Sequence, residues 1–384
     1  MRLEQLTADD PHEIAQRLRE ALDGRGPALG LGLMTTRAAE VPDGTAVVVT
    51  TSGSTGIPKS VVLGADALVA SARATAARMG EGAWLLALPA GYVAGLQVLV
   101  RSILAGRDAA VLEGPFTPER FADTALMMVR GPLGDATATY TSLVPAQLTR
   151  LLDAAEHDTA VLAALRSFER ILVGGQAMPP ATLERAQDAG VRLHRTYGSS
   201  ETSGGCVYDG VPLDGVSVAI VDGEVRIAGP TLATGYLGDP DRTEAAFPHD
   251  ADGTRWYRTG DVGIFEHGVL RVRGRLDNVI VSGGINVSLD RVEQIVRTVP
   301  GLGGSVVVGV DDERWGEASV IVAARGEALR RPEATQLEEA RAAVGRAVGA
   351  HARPSRLILV DELATLPSGK PDRESIRRAV AALH

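Results

Sequence analysis

A single cysteine, Cys206, stands among 384 residues. The chain can therefore close no internal disulfide, and no thiol-rich metal site can be built from it. Long uncharged apolar runs are missing too, which leaves no candidate membrane span. The N-terminus, Met1-Arg2-Leu3-Glu4-Gln5, is polar and turns acidic at Asp9 and Asp10, without the apolar core of a signal peptide. A soluble cytoplasmic protein is the expectation. Basic charge is in deficit: 39 Lys and Arg against 48 Asp and Glu give a formal charge of −9. That balance argues against nucleic acid as a partner, because binding it relies on Lys and Arg neutralising phosphates. It still permits one small anion in a locally positive pocket. Internal repeats and low-complexity tracts are absent as well.

What is present points to layers. Hydrophobic residues make up 45%, enough for one large core and a second, smaller one. Asp10-Pro11-His12-Glu13 supplies a capping Asp, a proline at the first helical position and a Glu in the first turn. Ile14, Leu18 and Leu22 follow at helical spacing, so a short amphipathic helix is predicted, stopped by Gly24 and Gly26. From Ala46 onward short apolar strands alternate with helical stretches. Strands are predicted over 46–49, 84–88, 109–112, 137–140 and 170–173, and helices over 66–79, 93–104, 121–129, 145–152 and 179–188. Such alternation implies βα units around a largely buried sheet.

After Asp214 the pattern changes. Alternating runs flank Asp222-Gly223 and, later, His267-Gly268, and each predicts a tight antiparallel hairpin. A boundary is expected at Arg275-Leu276-Asp277, dividing 1–276 from 277–384. Beyond it, strands over 279–281, 305–310, 319–324 and 357–360 and helices over 289–298 and 334–348 make a compact block, ended by a last helix. The expected fold class is α/β: a large N-terminal domain of βα-layered sheets with an antiparallel β segment, then a small α+β C-terminal domain.

The sharpest local signal is Thr51-Ser52-Gly53-Ser54-Thr55-Gly56-Ile57-Pro58-Lys59, which follows a strand. Its glycines permit close backbone approach, its amides and hydroxyls can donate to phosphate oxygens, and Lys59 adds a cation. It differs from a Walker A loop, whose lysine directly follows the second glycine. The alternative is a surface turn rich in Ser, Thr and Gly. Further along, Tyr197-Gly198-Ser199-Ser200-Glu201-Thr202 offers a flat ring for a base and a hydroxyl beside a carboxylate, a pair able to hold Mg²⁺ with phosphate oxygens. Trp256-Tyr257-Arg258-Thr259-Gly260-Asp261 carries an Asp whose two oxygens could accept from vicinal ribose hydroxyls. Gly274-Arg275-Leu276-Asp277 places a cation and a carboxylate at the boundary, and Leu366-Pro367-Ser368-Gly369-Lys370-Pro371-Asp372-Arg373 presents a lysine on a turn. Any one of these could be a solvated turn; five in this order are specific.

In that order the chain resembles the adenylate-forming superfamily of acyl-CoA ligases, luciferases and peptide-synthetase adenylation domains, over about Ala46 to Arg373. The resemblance implies a mobile C-terminal domain and roles for particular residues. Thr51, Ser52, Gly53, Ser54, Thr55, Gly56 and Lys59 match the phosphate loop. Gly174, Gly175 and Gln176 match the turn lining the adenine and acyl pockets. Tyr197 would stack on adenine, Ser200 would touch the α-phosphate, Glu201 would ligate Mg²⁺, and Asp261 and Arg275 would hold the ribose. Asp277 matches the hinge, Lys370 the lysine that bridges the acid and the α-phosphate, and Ser282, Gly283 and Gly284 the loop of the thiol tunnel. ATP, Mg²⁺ and coenzyme A are the implied cofactor and co-substrates. The implied partner is a small carboxylic acid, with homo-oligomerisation left open.

Among ligases, Thr141-Ser142-Leu143-Val144-Pro145-Ala146-Gln147-Leu148 is similar to a signature of the compact o-succinylbenzoate–CoA ligases of menaquinone biosynthesis. Their acid is a dicarboxylate, whose unreacting carboxylate needs a cation or several donors. Arg150 is the first candidate, sharing a predicted helix face with Gln147 near Ser142; His194 and Arg195 are alternates. The rivals are a ligase for another aryl or short-chain acid and a carrier-protein adenylating domain. A non-catalytic nucleotide-binding regulator is disfavoured because Glu201 and Lys370 are both present.

Overall fold

A computed structural model describes residues 1–6, 10–32, 40–51, 58–130, 137–328, 332–366 and 369–383. Its centre is a seven-stranded sheet in the order 211–212, 204–208, 193–199, 170–174, 139–143, 83–86, 110–111. The five strands from Leu193–Ser199 to Ala110–Val111 are mutually parallel. Sheets of this kind are covered on both faces, so their strands read as unbroken buried runs. Ala83–Leu86 and Thr139–Leu143 are buried at every position. The strand order reverses between these two, because the chain first steps outward to Ala110–Val111 and then returns to the other side. Crevices at such reversals, beyond the carboxyl ends of the strands, are where α/β sheets bind ligands.

A second sheet runs in the order Leu3–Gln5, Ala28–Leu31, Thr45–Thr51, Lys59–Gly64, Gly235–Tyr236. Helices Pro11–Leu22, Ala65–Met79 and Val93–Leu104 supply apolar side chains to one core shared with both sheets, with Ile14, Leu68, Leu96 and Leu63 fully buried. Helices Pro118–Arg130, Pro145–Ala155 and Thr159–Ser167 build a separate core on the far face of the seven-stranded sheet, around Phe121, Leu148, Leu165 and Phe168. The first helix starts as its sequence requires: Asp10 Oδ1 accepts the His12 amide at 2.9 Å and Pro11 follows.

Both predicted hairpins form. Ser217–Val221 and Glu224–Ala228 pair antiparallel, as do Trp256–Glu266 and Val269–Arg275. Asp222 and Gly223 take φ of 52° and 80°, and His267 and Gly268 take 53° and 76°, the two consecutive positive values a tight hairpin turn demands. From Val279 on, the chain builds its own five-stranded sheet, with helices Leu289–Val296, Glu333–Ala347 and Arg373–Ala381 and two further buried clusters. Two features differ from the sequence reading. A strand at Leu193–Ser199, given no range in the sequence reading, pairs with Gly204–Tyr208, which returns antiparallel beside it. A strand at Ile285–Ser288, unmarked in the sequence, pairs with Val279–Ser282. Among the described residues no helix is long and apolar enough to cross a membrane.

Candidate active site

Three parallel strands release their chains at one edge: Leu143 leads into a helix, Gly174 into Gly175-Gln176, and Ser199 into a single 3₁₀ turn, Ser200–Thr202. Close backbone approach shapes this edge. A methyl group on Gly198 would lie 2.1 Å from the carbonyl oxygen of Gly204, and one on Gly174 would lie 2.2 Å from Thr196 Oγ1. The turn is held by Thr202 Oγ1, which accepts the Ser199 amide at 2.8 Å. Glu201 is thereby turned inward and is 2% exposed. Its carboxylate pairs with the Lys59 ammonium, which arrives from the neighbouring sheet, and accepts the Tyr236 hydroxyl at 2.9 Å. Burial, the largest single influence, would push the Glu201 carboxyl up; the Lys59 charge and hydrogen bond, together with backbone and Ser199 hydrogen bonds, outweigh it and hold the group below the usual carboxylate range. Tyr236, pushed up by burial and then by the Glu201 charge, remains a donor.

Nothing in the local sequence singles out Tyr236, and it is the site residue that sequence reasoning missed. Ser52, Gly53, Ser54, Thr55 and Gly56, like Pro367 and Ser368, lie outside the described residues. The flanking Thr51 keeps a buried Oγ1 without a hydrogen-bond partner among the described residues. Buried hydroxyls usually find partners, so this one suits a ligand rich in oxygens.

On the neighbouring side, Tyr197 donates its hydroxyl to Asp261 Oδ2 at 2.6 Å, and Arg275 Nη1 approaches Asp261 Oδ1 at 3.3 Å. Burial raises the Asp261 carboxyl, and the Tyr197 hydroxyl and Arg275 charge offset this only in part. Arg275 also grips Asp277 with two bonds, 2.7 and 3.0 Å. Tyr197, Asp261, Arg275 and Asp277 thus form one chain of contacts from the sheet edge to residue 277.

Lys370 enters from the C-terminal block. Its turn is closed by the Leu366 amide donating to the Lys370 carbonyl at 2.7 Å, with Gly369 at φ +77°. Gln176 Nε2 donates to the Gly369 carbonyl at 3.4 Å, and a methyl group on Gly175 would sit 3.3 Å from Lys370 Cε. Part of the side chain stays open to solvent. Protein crowded around the ammonium still draws its pKa below the ordinary lysine value, against the opposing pull of Glu201 and Asp261. Residues 59, 201, 261 and 370 therefore face one cleft.

The remaining candidates are distributed differently. Ser142 is buried in its strand. Gln147 spends both ends of its amide on the fold, accepting the Val144 amide at 3.1 Å and donating to the Ala87 carbonyl at 2.9 Å; it caps its helix and bridges the strand reversal. Arg150 is exposed, with its guanidinium 5.8 Å from the Phe116 ring centre. His194 and Arg195 both bind Asp209, at 2.6 and 3.2 Å, which occupies both side chains. Ser282 donates to the His351 carbonyl at 2.8 Å, and Gly283 and Gly284 turn the hairpin under Trp315. With Lys370 in the cleft, these contacts lie within the C-terminal block. No cluster of three or more metal-binding side chains occurs among the described residues, so a cation here would need oxygens brought by a ligand beside Glu201.

Comparison with known proteins agrees with this geometry. The profile described as AMP-binding enzyme matches residues 3–237, and that described as AMP-binding enzyme C-terminal domain matches 291–370. A probable 2-succinylbenzoate–CoA ligase of Mycobacterium tuberculosis (strain H37Rv) is 41% identical over 347 residues, 89% of this chain and 86% of the relative. A medium-chain fatty-acid–CoA ligase of Escherichia coli K12 is 30% identical over 90% of this chain and 63% of its own length. Among solved structures, o-succinylbenzoate CoA synthetase of Bacillus subtilis, in complex with its acyl-adenylate intermediate, superposes with a TM-score of 0.73. It is 25% identical, over 97% of this chain and 82% of that one. ATP-bound MatB from Rhodopseudomonas palustris gives a TM-score of 0.74 at 22% identity, over 91% and 71%.

Proposed function

The chain belongs to the AMP-binding enzyme family as an adenylate-forming acid–CoA ligase, and from that premise we propose that its acid is o-succinylbenzoate, activated with ATP and passed to coenzyme A. The observation that carries the reading is the meeting of Glu201, Lys59 and Lys370 in one cleft, from three distant parts of the chain. The acid is argued from the relatives' names and from the motif Ser142-Leu143-Val144-Pro145-Ala146-Gln147-Leu148.

In this reading residues 1–276 bind ATP and acid, and residues 277–384 deliver Lys370. The acid's carboxylate is ionised at neutral pH, so its attack on the α-phosphorus needs relief of charge repulsion and no general base. Lys370 reaches both the carboxylate and the α-phosphate, Lys59 leaves Glu201 for the phosphates, and Ser200 lies against the α-phosphate. Tyr197 places the adenine, and Asp261 with Arg275 places the ribose. Glu201, ionised and hard-oxygen in character, fits Mg²⁺ brought in with the nucleotide; the ion would neutralise phosphate charge. The acyl O–P bond forms as the bond to pyrophosphate breaks. Withdrawal of Lys370 then admits the Ser282-Gly283-Gly284 turn, and the thiol of coenzyme A displaces AMP from the acyl carbon.

Arg150, with no carboxylate partner among the described residues, is the group proposed for the acid's second carboxylate. His194 and Arg195 are set aside for this role because Asp209 holds both. The test is pyrophosphate exchange into ATP with a panel of acids. Exchange strongest with o-succinylbenzoate, and weakened mainly in KM by Arg150→Ala, supports the proposal. A clear preference for a medium-chain monocarboxylate overturns the choice of acid and leaves the ligase chemistry standing.

A further inference from the structure

Besides the contacts of the Lys370 turn with Gly175 and Gln176, the C-terminal block meets the rest of the molecule along a seam beside residue 277. Helix Leu289–Val296 packs its first turn against the end of strand Val269–Arg275. The approach is close: a methyl group on Gly274 would meet Asp290 Cβ at 2.8 Å and Asp290 Oδ2 at 3.1 Å. Asp290 fills this seam. Its Oδ2 accepts the Arg275 amide at 2.8 Å, and its Oδ1 accepts Asn278 Nδ2 at 2.7 Å. One carboxylate therefore binds donors on both sides of Asp277. Arg373 Nη2 lies 3.9 Å from the same carboxylate.

Arg373 is three residues beyond Lys370 and is itself anchored, pairing with the buried Glu293 at 2.8 Å and donating to the Val307 carbonyl at 3.1 Å. Glu293 is further held by Arg297 at 2.7 Å and by the Val307 amide at 2.9 Å. The lysine turn, Arg373 and the helix of Asp290 are thus braced into one piece. What sets the direction of that piece is the seam. The Arg275 amide belongs to the strand of the larger block, so any turn of the chain at residue 277 pulls it away from Asp290.

We propose that Asp290 is the positioning residue that holds the C-terminal block in the orientation where Lys370 enters the cleft. The inference rests on the proposed two-step reaction and adds the residue that biases its first step. A hydrogen bond from a backbone amide to a carboxylate belongs to the stronger, charge-assisted class, and it exists only in this orientation. Asp290 also sits in the first turn of its helix, where an acidic residue favours the helix in itself. That local role would change stability without changing the balance between half-reactions.

The experiment compares Asp290→Ala and Asp290→Asn with the parent in three measurements. These are pyrophosphate exchange, thioester formation from supplied acyl adenylate, and the distance between spin labels at Glu184→Cys and Ala342→Cys. The native thiol, Cys206, is fully buried and will not take label. Asp290→Ala is expected to lower exchange about tenfold, the equilibrium worth of one such bond, while thioester formation stays within about twofold. Its label distances should spread beyond the single parent population. Asp290→Asn keeps an acceptor for the Arg275 amide and is expected to restore most of the exchange. Equal loss in both half-reactions, or unchanged exchange with unchanged distances, overturns the proposal. A parent that exchanges no pyrophosphate with any acid sinks the functional reading instead, and the label distances then decide for or against Asp290 alone.

Discussion

The Lys59–Glu201 pair shows how much a single contact is asked to do. A carboxylate this deeply buried would be neutral if left alone. The Lys59 ammonium keeps it ionised and so keeps it fit to meet a cation. Removing that ammonium while preserving bulk, as in Lys59→Met, leaves Glu201 with neutral hydrogen-bond donors such as the Tyr236 hydroxyl. Breaking one side of a buried pair costs several kcal/mol; because Lys59 is itself partly exposed, about 2 kcal/mol is expected here. The sign with pH follows. In the parent the lowered Glu201 pKa contributes stability above its unfolded value, lost as pH falls through the folded one. In the variant burial dominates and the pKa rises, so the deficit is largest at neutral pH and fades below the unfolded value. Thermal unfolding of parent and variant at pH 7 and pH 4 checks this; an equal deficit at both would refute it. Glu201 and Lys59 were legible in the sequence as charges beside small residues. Tyr236 was not, because its only distinction is a hydroxyl that reaches across two sheets.

At the level of elements, legibility tracks locality. Helix Pro11–Leu22 and the two hairpins carry their own start, stop and turn residues, and they form where the spacing puts them. Sheet order depends on pairing between strands far apart in the chain, as of Ala83–Leu86 with Thr139–Leu143, which no local pattern encodes. Gln147 follows the same rule. Its place near a pocket motif suggested a ligand contact, whereas the nearest unsatisfied groups are the Val144 amide and the Ala87 carbonyl, and it binds those. The glycine at 198 shows where packing and site meet. A methyl group there collides with the Gly204 carbonyl, so Gly198→Ala must part the strand that carries Tyr197 from the one that follows the Glu201 turn. Overpacking of this kind typically costs about 1–3 kcal/mol. A lower melting temperature together with a fall in pyrophosphate exchange larger than the stability loss explains is expected. Full exchange activity in a well-folded Gly198→Ala protein would show that the spacing of these strands is not what sets the site.

Across the whole molecule, the cleft is completed only when the two blocks face each other as they do here, with Lys370 beside Gly175. The sequence placed Lys370 on a presented turn but could not say which way the turn points, since that depends on the seam at residue 277. The orientation has a titration signature. Lys370 is drawn below its ordinary value of 10.5, chiefly by desolvation. Desolvation of the ammonium therefore costs stability while it is charged, and that cost fades as pH rises from the folded pKa toward the unfolded one. Activity moves the opposite way. The proposed first step needs the cation, so exchange measured as kcat/KM should hold at neutral pH and fall on the alkaline side before an ordinary lysine would titrate. Thioester formation from supplied acyl adenylate, from which Lys370 has withdrawn, should show no such fall. In Lys370→Ala exchange should be nearly abolished at every pH and the second step spared. If both half-reactions share one alkaline limb, or if the variant loses both alike, the ammonium is serving the fold rather than the phosphorus, and the entry of Lys370 into this cleft is structural.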